Sequence, residues 1–347
     1  MLRTPRFDQK EIDRVKATWV AGIKQEKARP NGAAMRVLPP LLYGAGHAYA
    51  MPFSGSGTEA SIGSLTRDDL VAFHRDWVRP QDATLIVVGD TTLKDIVPLL
   101  DKHLGDWKGQ ADAPAAPTIG EVARPGKARV FLIDQPGAVQ ANIFAGEVVP
   151  STRDAGSVKF DIANSVLGGE FSSRLNMNLR EDKHWAYGAY SFAANALGQR
   201  PWMAFAPVQI DKTADSLKEL QREISEYSSG KAPPTADEVA KIQAPEIRGL
   251  PGSLETASAV MGAISGIVRY DRPDDYVFRR KAEIEALTPA QVKQAAATID
   301  PNALTWVVVG DLKQIEQPVR ALKLGELQVL DADGNPVGTS PASKPTK

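Results

Sequence analysis

The stretch RPQDATLIVVGD, from Arg79 to Asp90, has a close counterpart in DPNALTWVVVGD, from Asp300 to Asp311. The Pro, Thr, Val-Val and Gly-Asp elements of the two stretches superpose at a single spacing of 221 residues. Each stretch is an apolar run rich in β-branched residues that ends at Gly-Asp, which is typical of a buried strand. The sequence therefore predicts a buried strand in both places.

A helix that begins at Leu-Thr is predicted before each of these strands. Leu65-Thr66 precedes the first strand and Leu287-Thr288 precedes the second. After Thr288, Pro289 suits the first helical turn and Gln291 suits the third position of a capping box. Since helix and strand recur together at a nearly constant spacing, we infer that the chain contains two copies of one domain.

The two copies differ on their N-terminal side. Strands of the second copy are predicted at 129–134 and 139–149, after a stretch rich in Pro, Ala and Gly. Counting back 221 residues from Arg129 reaches a point about ninety residues before Met1. We therefore expect an N-terminally truncated first domain (1–108), a linker (109–127), a complete second domain (128–330) and a C-terminal tail (331–347).

The order of elements in the second copy predicts an α+β fold, with helices packed on a mostly antiparallel sheet. We expect a helix over 153–167 that Gly168 and Gly169 end by a left-handed cap, and a second helix from Ser172 or Ser173 to Asp182. Further elements are expected as strands over 185–195 and 202–210, a helix over 215–227, and helices over 235–298 with breaks at Pro245, Pro251 and Pro273. In the first copy, helices are expected over 9–27, 31–43, 66–77 and 93–103.

Composition narrows the classes of function. The 347 residues include 41 Lys+Arg and 42 Asp+Glu, which gives a net charge of −1. This charge does not attract nucleic acid or an anionic membrane. No stretch approaches the roughly 20 apolar residues that span a bilayer. The absence of cysteine excludes disulfides, thiolate metal sites and a cysteine nucleophile.

The four histidines do not form a recognisable metal motif. His47, His74, His103 and His184 never lie three or four residues apart, and neither H-E-x-x-H nor H-x-x-E-H occurs. A G-x-S-x-G elbow is also absent from the sequence. Taken alone, the sequence contains no complete catalytic apparatus, and a hydrolase that uses carboxylates alone would need two acids that converge in a cleft.

One run does point to a family. LGGEFSSRLNMNLREDKHWAYG, from Leu167 to Gly188, resembles the stretch L-G-G-x-F-S-S-R-L … L-R-E-x-x-x-x-A-Y of the insulinase/pitrilysin zinc metallopeptidases, which include mitochondrial processing peptidase. Phe73–Trp77 together with 79–90 resembles the end of a domain of that family. The resemblance covers nearly the whole chain, and the motif, its order and the duplication agree.

The resemblance implies paired α+β domains and two halves that close around an unfolded peptide. In the family, the two histidines of H-x-x-E-H and a glutamate on a later helix hold zinc. By resemblance, H-x-x-E-H would precede Met1, and the glutamate aligns with Gly22, between Ala21 and Ile23. We therefore expect no zinc in this chain, which would be inactive alone, and zinc on a partner half, either upstream in the same precursor or in a separate subunit.

The resemblance also implies two site residues. In the non-zinc half of the family, an arginine and, seven residues later, a tyrosine face the zinc of the other half, and Arg180 and Tyr187 match them. A guanidinium and a phenol can donate hydrogen bonds to substrate carbonyls and to the oxyanion formed during hydrolysis. The structural alternative is an arginine that bonds last-turn carbonyls and a tyrosine that packs on its sheet.

Two further expectations concern peptide binding. If 185–191 is a strand, Trp185, Tyr187 and Ala189 share one face, and the small Ala186 and Gly188 leave room for an extended peptide added at a sheet edge. The alternative function is a purely structural or peptide-binding subunit of the same fold with no part in catalysis. The alanine-rich composition without cysteine suits a periplasmic relative, so the bacterial periplasm is the expected location.

Overall fold

The computed structural model describes residues 2–109 and 114–337, and it divides them into two compact units that are each discontinuous in sequence. The helical unit comprises residues within 1–24, 56–118 and 249–277, and the sheet unit comprises residues within 25–55, 119–248 and 278–347. These units do not coincide with the predicted segments, and the duplication behind those segments stays a prediction. Part of the predicted linker (110–113) and of the predicted tail (338–347) lies outside the described residues.

The sheet unit is built on one six-stranded sheet with the order β3-β4-β2-β5-β1-β6. Its strands are β1 (Arg129–Asp134), β2 (Gln140–Val149), β3 (Tyr190–Ala193), β4 (Arg200–Gln209), β5 (Thr305–Gly310) and β6 (Glu326–Leu330). Pairing is antiparallel for β3–β4, β4–β2 and β2–β5, and parallel for β5–β1 and β1–β6. The predicted α+β fold with a mostly antiparallel sheet is confirmed, and β5 is buried along its whole length, as its apolar sequence predicts.

Alternate side chains of the inner strands supply two hydrophobic clusters, because successive residues of a strand point to opposite faces. Trp306 and Val308 of β5 belong to the cluster that the C-terminal helices cover. Val307 and Val309 belong to the other cluster, which is covered by α2 (Pro30–Tyr43). The sequence places α2 in the predicted first domain (1–108), but in the structure α2 packs on this sheet.

The remaining helices of the sheet unit surround this sheet. They are α6 (Ser157–Asn164), α7 (Arg174–Asn176), α8 (Thr213–Ser228), α9 (Ala236–Arg248), most of α11 (Tyr276–Ala286), α12 (Pro289–Ala296) and α13 (Leu312–Ala321). Two π-helical turns, Ser165–Gly169 and Met177–Asp182, follow α6 and α7.

The helical unit has a different character. It contains most of α1 (Gln9–Ala28) and the helices α3 (Glu59–Ser64), α4 (Arg67–Trp77), α5 (Leu93–Leu104) and α10 (Ala257–Tyr270). Among the described residues, both hydrophobic core clusters lie in the sheet unit. None of these five helices meets the length and hydropathy of a membrane span, and neither does any other helix in the described part of the chain.

The strand expected at Thr84–Val88 is absent, and that prediction is wrong for this structure. The segment is irregular, with 58% of Leu85 and 45% of Val87 exposed. No described strand pairs with it, since the six strands pair only with one another. A strand is stable only when a neighbouring strand pairs with its backbone N–H and C=O groups.

Two expected helix ends also differ. Gly168 and Gly169 do not take left-handed caps, because both lie within the π-helical turn and neither has a positive φ. Pro245 does not interrupt a helix but lies inside α9. Elsewhere, the helices expected over 9–27, 31–43, 66–77 and 93–103 are confirmed as α1, α2, α4 and α5 to within one residue at either end.

Candidate functional site

The run that carries the family resemblance folds around an edge of the sheet. Ser165–Gly169 lies against β3, so closely that a Cβ at Gly168 would be 2.5 Å from the backbone nitrogen of Ser191. Only glycine allows this approach, which explains the Gly-Gly pair better than a helix cap does. The two π-helical turns then carry the chain from α6 past α7 to Arg180.

Arg180 lies between two aromatic rings. Its guanidinium carbon is 4.6 Å from the ring centre of Phe171 and 5.6 Å from that of Tyr187. Its Nε lies 3.3 Å from a carboxylate oxygen of Glu181, and about a third of its side chain is exposed. Stacking on two ring faces restrains the guanidinium while its edge remains free to donate hydrogen bonds.

Tyr187 projects from a short irregular segment that is held at both ends. On one side the Trp185 N–H donates to the Leu179 carbonyl (2.9 Å), and the Gln209 N–H donates to the Trp185 carbonyl (2.9 Å). On the other side the Ala189 N–H donates to Oδ1 of Asn176 (3.1 Å). Tyr187 itself is 84% exposed. The structure thus brings the two predicted site residues together and presents the phenol to solvent.

The expected strand over 185–191 is only partly formed, and the face predicted from it is wrong. β3 begins at Tyr190, while Ala186 makes an isolated bridge to Val208. Ala189 is buried but Tyr187 is exposed, so the two residues do not share a face. The N–H groups of 185 and 189 donate to Leu179 and Asn176 and not to a neighbouring strand, so the segment lacks the pairing of a strand.

The space expected beside Gly188 is filled. A Cβ at Gly188 would lie 2.6 Å from the ring of Tyr190, so this glycine accommodates a neighbouring side chain and leaves no groove for a peptide. The edge of the sheet is also occupied, because Asn164 Nδ2 donates to the Ser191 carbonyl (3.0 Å). The N–H group of Ala189, just before β3, and the carbonyl of Ser191 within it are therefore not available to an added strand.

Arg174, the other arginine of the run, has a structural role. Arg174 Nε lies 2.7 Å from an oxygen of Glu238, and its Nη1 donates to the Ala232 carbonyl (2.6 Å). Its guanidinium also lies 4.9 Å from the ring centre of Tyr227. With these partners Arg174 ties α7 to the start of α9, so only Arg180 of the two is available for a ligand.

The described residues do not fit a zinc ion. Gly22, where the resemblance places a zinc glutamate, lies on α1 with no other heavy atom within 4 Å of its Cβ direction. His47 stacks on Tyr43 (5.0 Å), and the His74 ring bonds to the Leu2 carbonyl (2.7 Å). Within 2–109 and 114–337 no group of three His, Asp or Glu side chains could hold a metal.

Sequence reasoning did not single out Phe171. The residue was visible in the motif, nine positions before Arg180, and its ring is one of the two surfaces that restrain the guanidinium. A contact over nine residues follows neither helix nor strand spacing. It results from the turn and the short α7 between the two residues, which only the folded chain shows.

Comparisons of the sequence with known proteins point to one family. A sequence model described as "Peptidase M16 inactive domain" matches residues 64–245. The uncharacterized zinc protease YmxG of Bacillus subtilis is 26% identical over 189 residues, which are 54% of this chain and 43% of that protein. The chain thus spans less than half the length of that relative.

Solved structures show the same fold. A peptidase M16 inactive domain from Pseudomonas fluorescens superposes with a TM-score of 0.80 and 25% sequence identity, over 89% of this chain and 72% of that one. The periplasmic protease PqqL from Escherichia coli gives a TM-score of 0.67 at 15% identity, over 86% of this chain and 32% of that one. The second likeness shows the fold alone.

The match over 64–245 covers more than half of the 347 residues and includes both the stretch 79–90 and the run that contains Arg180 and Tyr187. It confirms the resemblance to the insulinase/pitrilysin peptidases drawn from that run. The chain belongs to the peptidase M16 family, and the part that matches is the inactive domain of that family.

Proposed function

We propose that this chain is the non-zinc-binding half of a zinc-dependent peptidase, and that it encloses and orients a peptide substrate. The observation that carries the proposal is the contact of the partly exposed Arg180 with the exposed Tyr187, whose guanidinium and ring lie 5.6 Å apart on the motif-bearing run. The match to an inactive domain and the zinc-protease names of the relatives support a role beside a catalytic half.

The two side chains supply hydrogen-bond donors. The guanidinium edge of Arg180 donates to a peptide carbonyl, and the phenol of Tyr187 donates to the oxygen that becomes negative when water attacks. Loss of one such donor in other hydrolases costs ~2.7–4 kcal/mol, or roughly 100- to 1000-fold in turnover. Restraint of Arg180 by the Phe171 ring lowers the entropy lost when the donor is aligned.

Zinc is placed on the partner half in this proposal, since the described residues of this chain do not fit it. The partner is the zinc-bearing half, upstream in the same precursor or a separate subunit, and the substrate is a peptide. The bacterial periplasm is the proposed location, which the fold shared with a periplasmic protease of Escherichia coli supports only at the level of architecture.

The test uses the assembled enzyme, purified as the natural complex or as the one polypeptide that contains both halves. Arg180→Ala and Tyr187→Phe are each expected to lower turnover of a fluorogenic peptide at least about tenfold. Circular dichroism checks the fold. Matched controls are Arg269→Ala, at an exposed position in the helical unit, and Tyr190→Phe, which removes a phenol oxygen three residues from the site. Unchanged turnover in both site variants would reduce Arg180 and Tyr187 to scaffold.

A second measurement tests the assignment of zinc. The isolated 347-residue chain is expected to bind no stoichiometric zinc and to cleave no peptide. One zinc per chain by metal analysis would contradict the proposal.

The alternative is a structural or peptide-binding subunit without a part in catalysis. The contacts of Arg180 with Phe171 and Glu181 favour it, because they also serve to hold the turn that carries the arginine. In that case Arg180→Ala lowers stability or peptide affinity, measured by thermal unfolding and fluorescence anisotropy, and leaves turnover per bound peptide unchanged.

A further inference from the structure

A cavity of about 270 Å³ lies in the sheet unit, where residues from the N-terminus of α6, the start of β4 and α12 line it. Pockets for organic ligands usually measure roughly 300–1,000 Å³, so this cavity suits a small ion or a small molecule. Its polar lining residues include Asp154, Ser157, Lys159, Arg200, Gln294 and Thr298.

Arg200, the first residue of β4, is a buried cation that lines this cavity and is only 1% exposed. Its Nε donates to the Pro150 carbonyl (2.9 Å) and its Nη1 to Oδ1 of Asp161 (2.7 Å). The guanidinium carbon lies 5.3 Å from the ring centre of Phe160. The buried Nη2 has no hydrogen-bond partner among the described residues. Because a buried donor without an acceptor is costly, this nitrogen points to a ligand that supplies one.

Two further lining residues lie in the first turn of α6 and suit the same kind of ligand. Ser157 is buried, and its hydroxyl has no hydrogen-bond partner in the described part of the chain. Lys159 is partly buried and forms no ion pair within 2–109 and 114–337. The N-terminus of a helix also carries a partial positive charge. A hydroxyl donor, a cation and a helix terminus thus meet at the cavity, and all three favour an anion.

Two carboxylates near these groups oppose an anion, but both are more exposed to water than Arg200. Asp154 is exposed, and its Oδ1 accepts a hydrogen bond from the Gly156 N–H (2.7 Å). The side chain of Asp161 is 41% exposed, compared with 1% for its partner Arg200. Because water screens exposed charges more strongly than buried ones, the guanidinium contributes more to the potential in the cavity than the carboxylate that pairs with it.

We propose that this cavity binds a small oxyanion, either a phosphate or a carboxylate group. The oxyanion accepts hydrogen bonds from Arg200 Nη2 and from the Ser157 hydroxyl, and the charge of Lys159 stabilises it. Gln294 and Thr298, at the C-terminal end of α12, supply further donors.

The proposed anion site is remote from the motif-bearing pair. Ala186, next to Tyr187, bridges Val208, which lies eight residues after Arg200 on β4. At roughly 3.3 Å per residue, the two positions are about 26 Å apart along the strand. The anion site therefore does not rest on the role proposed for Arg180 and Tyr187.

The test measures binding of radiolabelled inorganic phosphate to the 347-residue chain by equilibrium dialysis at constant ionic strength. We expect saturable binding of one phosphate per chain. Lys159→Ala and Ser157→Ala are each expected to raise the Kd at least about fivefold. Lys241→Ala, at an exposed position on α9, is the matched control and should leave the Kd unchanged. The same dialysis with radiolabelled acetate distinguishes the two sources, because the tighter ligand identifies the group that the cavity prefers.

Arg200→Lys tests the guanidinium itself, since lysine keeps the charge and removes Nη2, and it should weaken binding as well. Thermal unfolding checks this variant, because Arg200 also holds Pro150 and Asp161. The variants of Lys159 and Ser157 decide the matter if Arg200→Lys does not fold.

Amide chemical shifts of residues 156–160 during a phosphate titration give a second readout by nuclear magnetic resonance, and we expect them to move with the same Kd. The proposal is overturned if neither phosphate nor acetate binds saturably at millimolar concentration, or if equimolar chloride displaces them. It is equally overturned if Lys159→Ala and Ser157→Ala bind as tightly as Lys241→Ala, or if only amides elsewhere in the chain shift.

Discussion

Thr84–Asp90 and Thr305–Asp311 have closely similar sequences and opposite environments. In the second, every residue from Thr305 to Gly310 is buried inside a six-stranded sheet. In the first, Leu85 and Val87 face solvent and no described strand pairs with the segment. Local sequence therefore selects an extended, apolar segment in both places, but the sheet that makes such a segment a strand is supplied by distant parts of the chain.

The turns before the two segments show the same contrast. The Asp300 N–H donates to Oε1 of the buried Glu147 (3.0 Å), which ties the entrance of β5 to β2. Its counterpart Arg79 instead forms an ion pair with Asp82, three residues away. The contact of Asp300 joins residues far apart in sequence, whereas this ion pair of Arg79 joins residues three apart.

The largest expected loss of stability comes from an aspartate placed in the buried segment, and the same substitution in the exposed segment is the comparison. Val308→Asp buries a carboxylate without a partner inside β5 and is expected to lower the free energy of unfolding by about 4 kcal/mol or more. Val87→Asp, on the exposed segment, is expected to change it by less than about 0.5 kcal/mol. Urea unfolding of both variants measures the difference, and equal losses would show that the two segments are covered alike.

We expect Glu147, a buried residue of β2, to make the stability of the sheet unit depend on pH. Burial raises the pKa of Glu147 from 4.5 to about 8, although the charge of Arg124 opposes the shift. Because the folded state holds this proton more tightly than the unfolded chain, the contribution of Glu147 to stability is fully present below pH 4.5 and is lost as the pH rises toward about 8. We expect a loss on the order of a few kcal/mol across that range.

Glu147→Gln is expected to flatten the dependence of unfolding free energy on pH between these limits. Glu121→Gln, at an exposed position, is the matched control and should leave the slope of the parent chain unchanged. A slope that persists in Glu147→Gln would assign the pH dependence to other groups.

Two glycine-to-alanine substitutions test a closely packed position and an open one. Gly168→Ala would force a Cβ to within 2.5 Å of the Ser191 nitrogen, and we expect a loss of about 1–3 kcal/mol. Gly22→Ala meets no atom within 4 Å on α1 and should stabilise its helix by about 0.5–1 kcal/mol. Thermal unfolding and amide exchange report the two effects, and a neutral Gly168→Ala would show that the turn can move away from β3.

The two capping boxes give a further comparison with small expected effects. Thr66→Ala and Thr288→Ala each remove one side-chain cap, which costs about 1 kcal/mol of helix stability. Since α12 packs on the core, Thr288→Ala should lower global stability. Thr66→Ala should instead speed amide exchange within α4 and leave the global transition in place. Identical behaviour of the two variants would contradict the view that α4 lacks the cover that α12 has.

Much of the fold could be predicted because it depends on local chemistry. The capping box at Thr288 and the apolar run of β5 are properties of a few neighbouring residues. The family motif also singled out Arg180 and Tyr187, whose side chains lie next to each other in the structure. The roles proposed for them await the turnover measurements.

What could not be predicted depends on which surfaces meet. The sequence near Gly168 is compatible with a helix cap, and only the approach of Ser191 shows why glycine is needed there. Likewise, the alternation of 185–191 is compatible with a strand, but hydrogen bonds that the segment donates to the Leu179 carbonyl and to Oδ1 of Asn176 hold it in an irregular form that exposes Tyr187.

By itself, the sequence determined the α+β class, the family and the residues that pair in the site, since these follow from periodicity and from motifs read along the chain. The tertiary structure alone decided that α2 packs on the sheet of the second copy and that Phe171 stacks on Arg180. It also decided that no strand among the described residues pairs with Thr84–Val88. The physical reason is that burial and backbone pairing are satisfied by residues far apart in sequence, and no local pattern specifies which of them will meet.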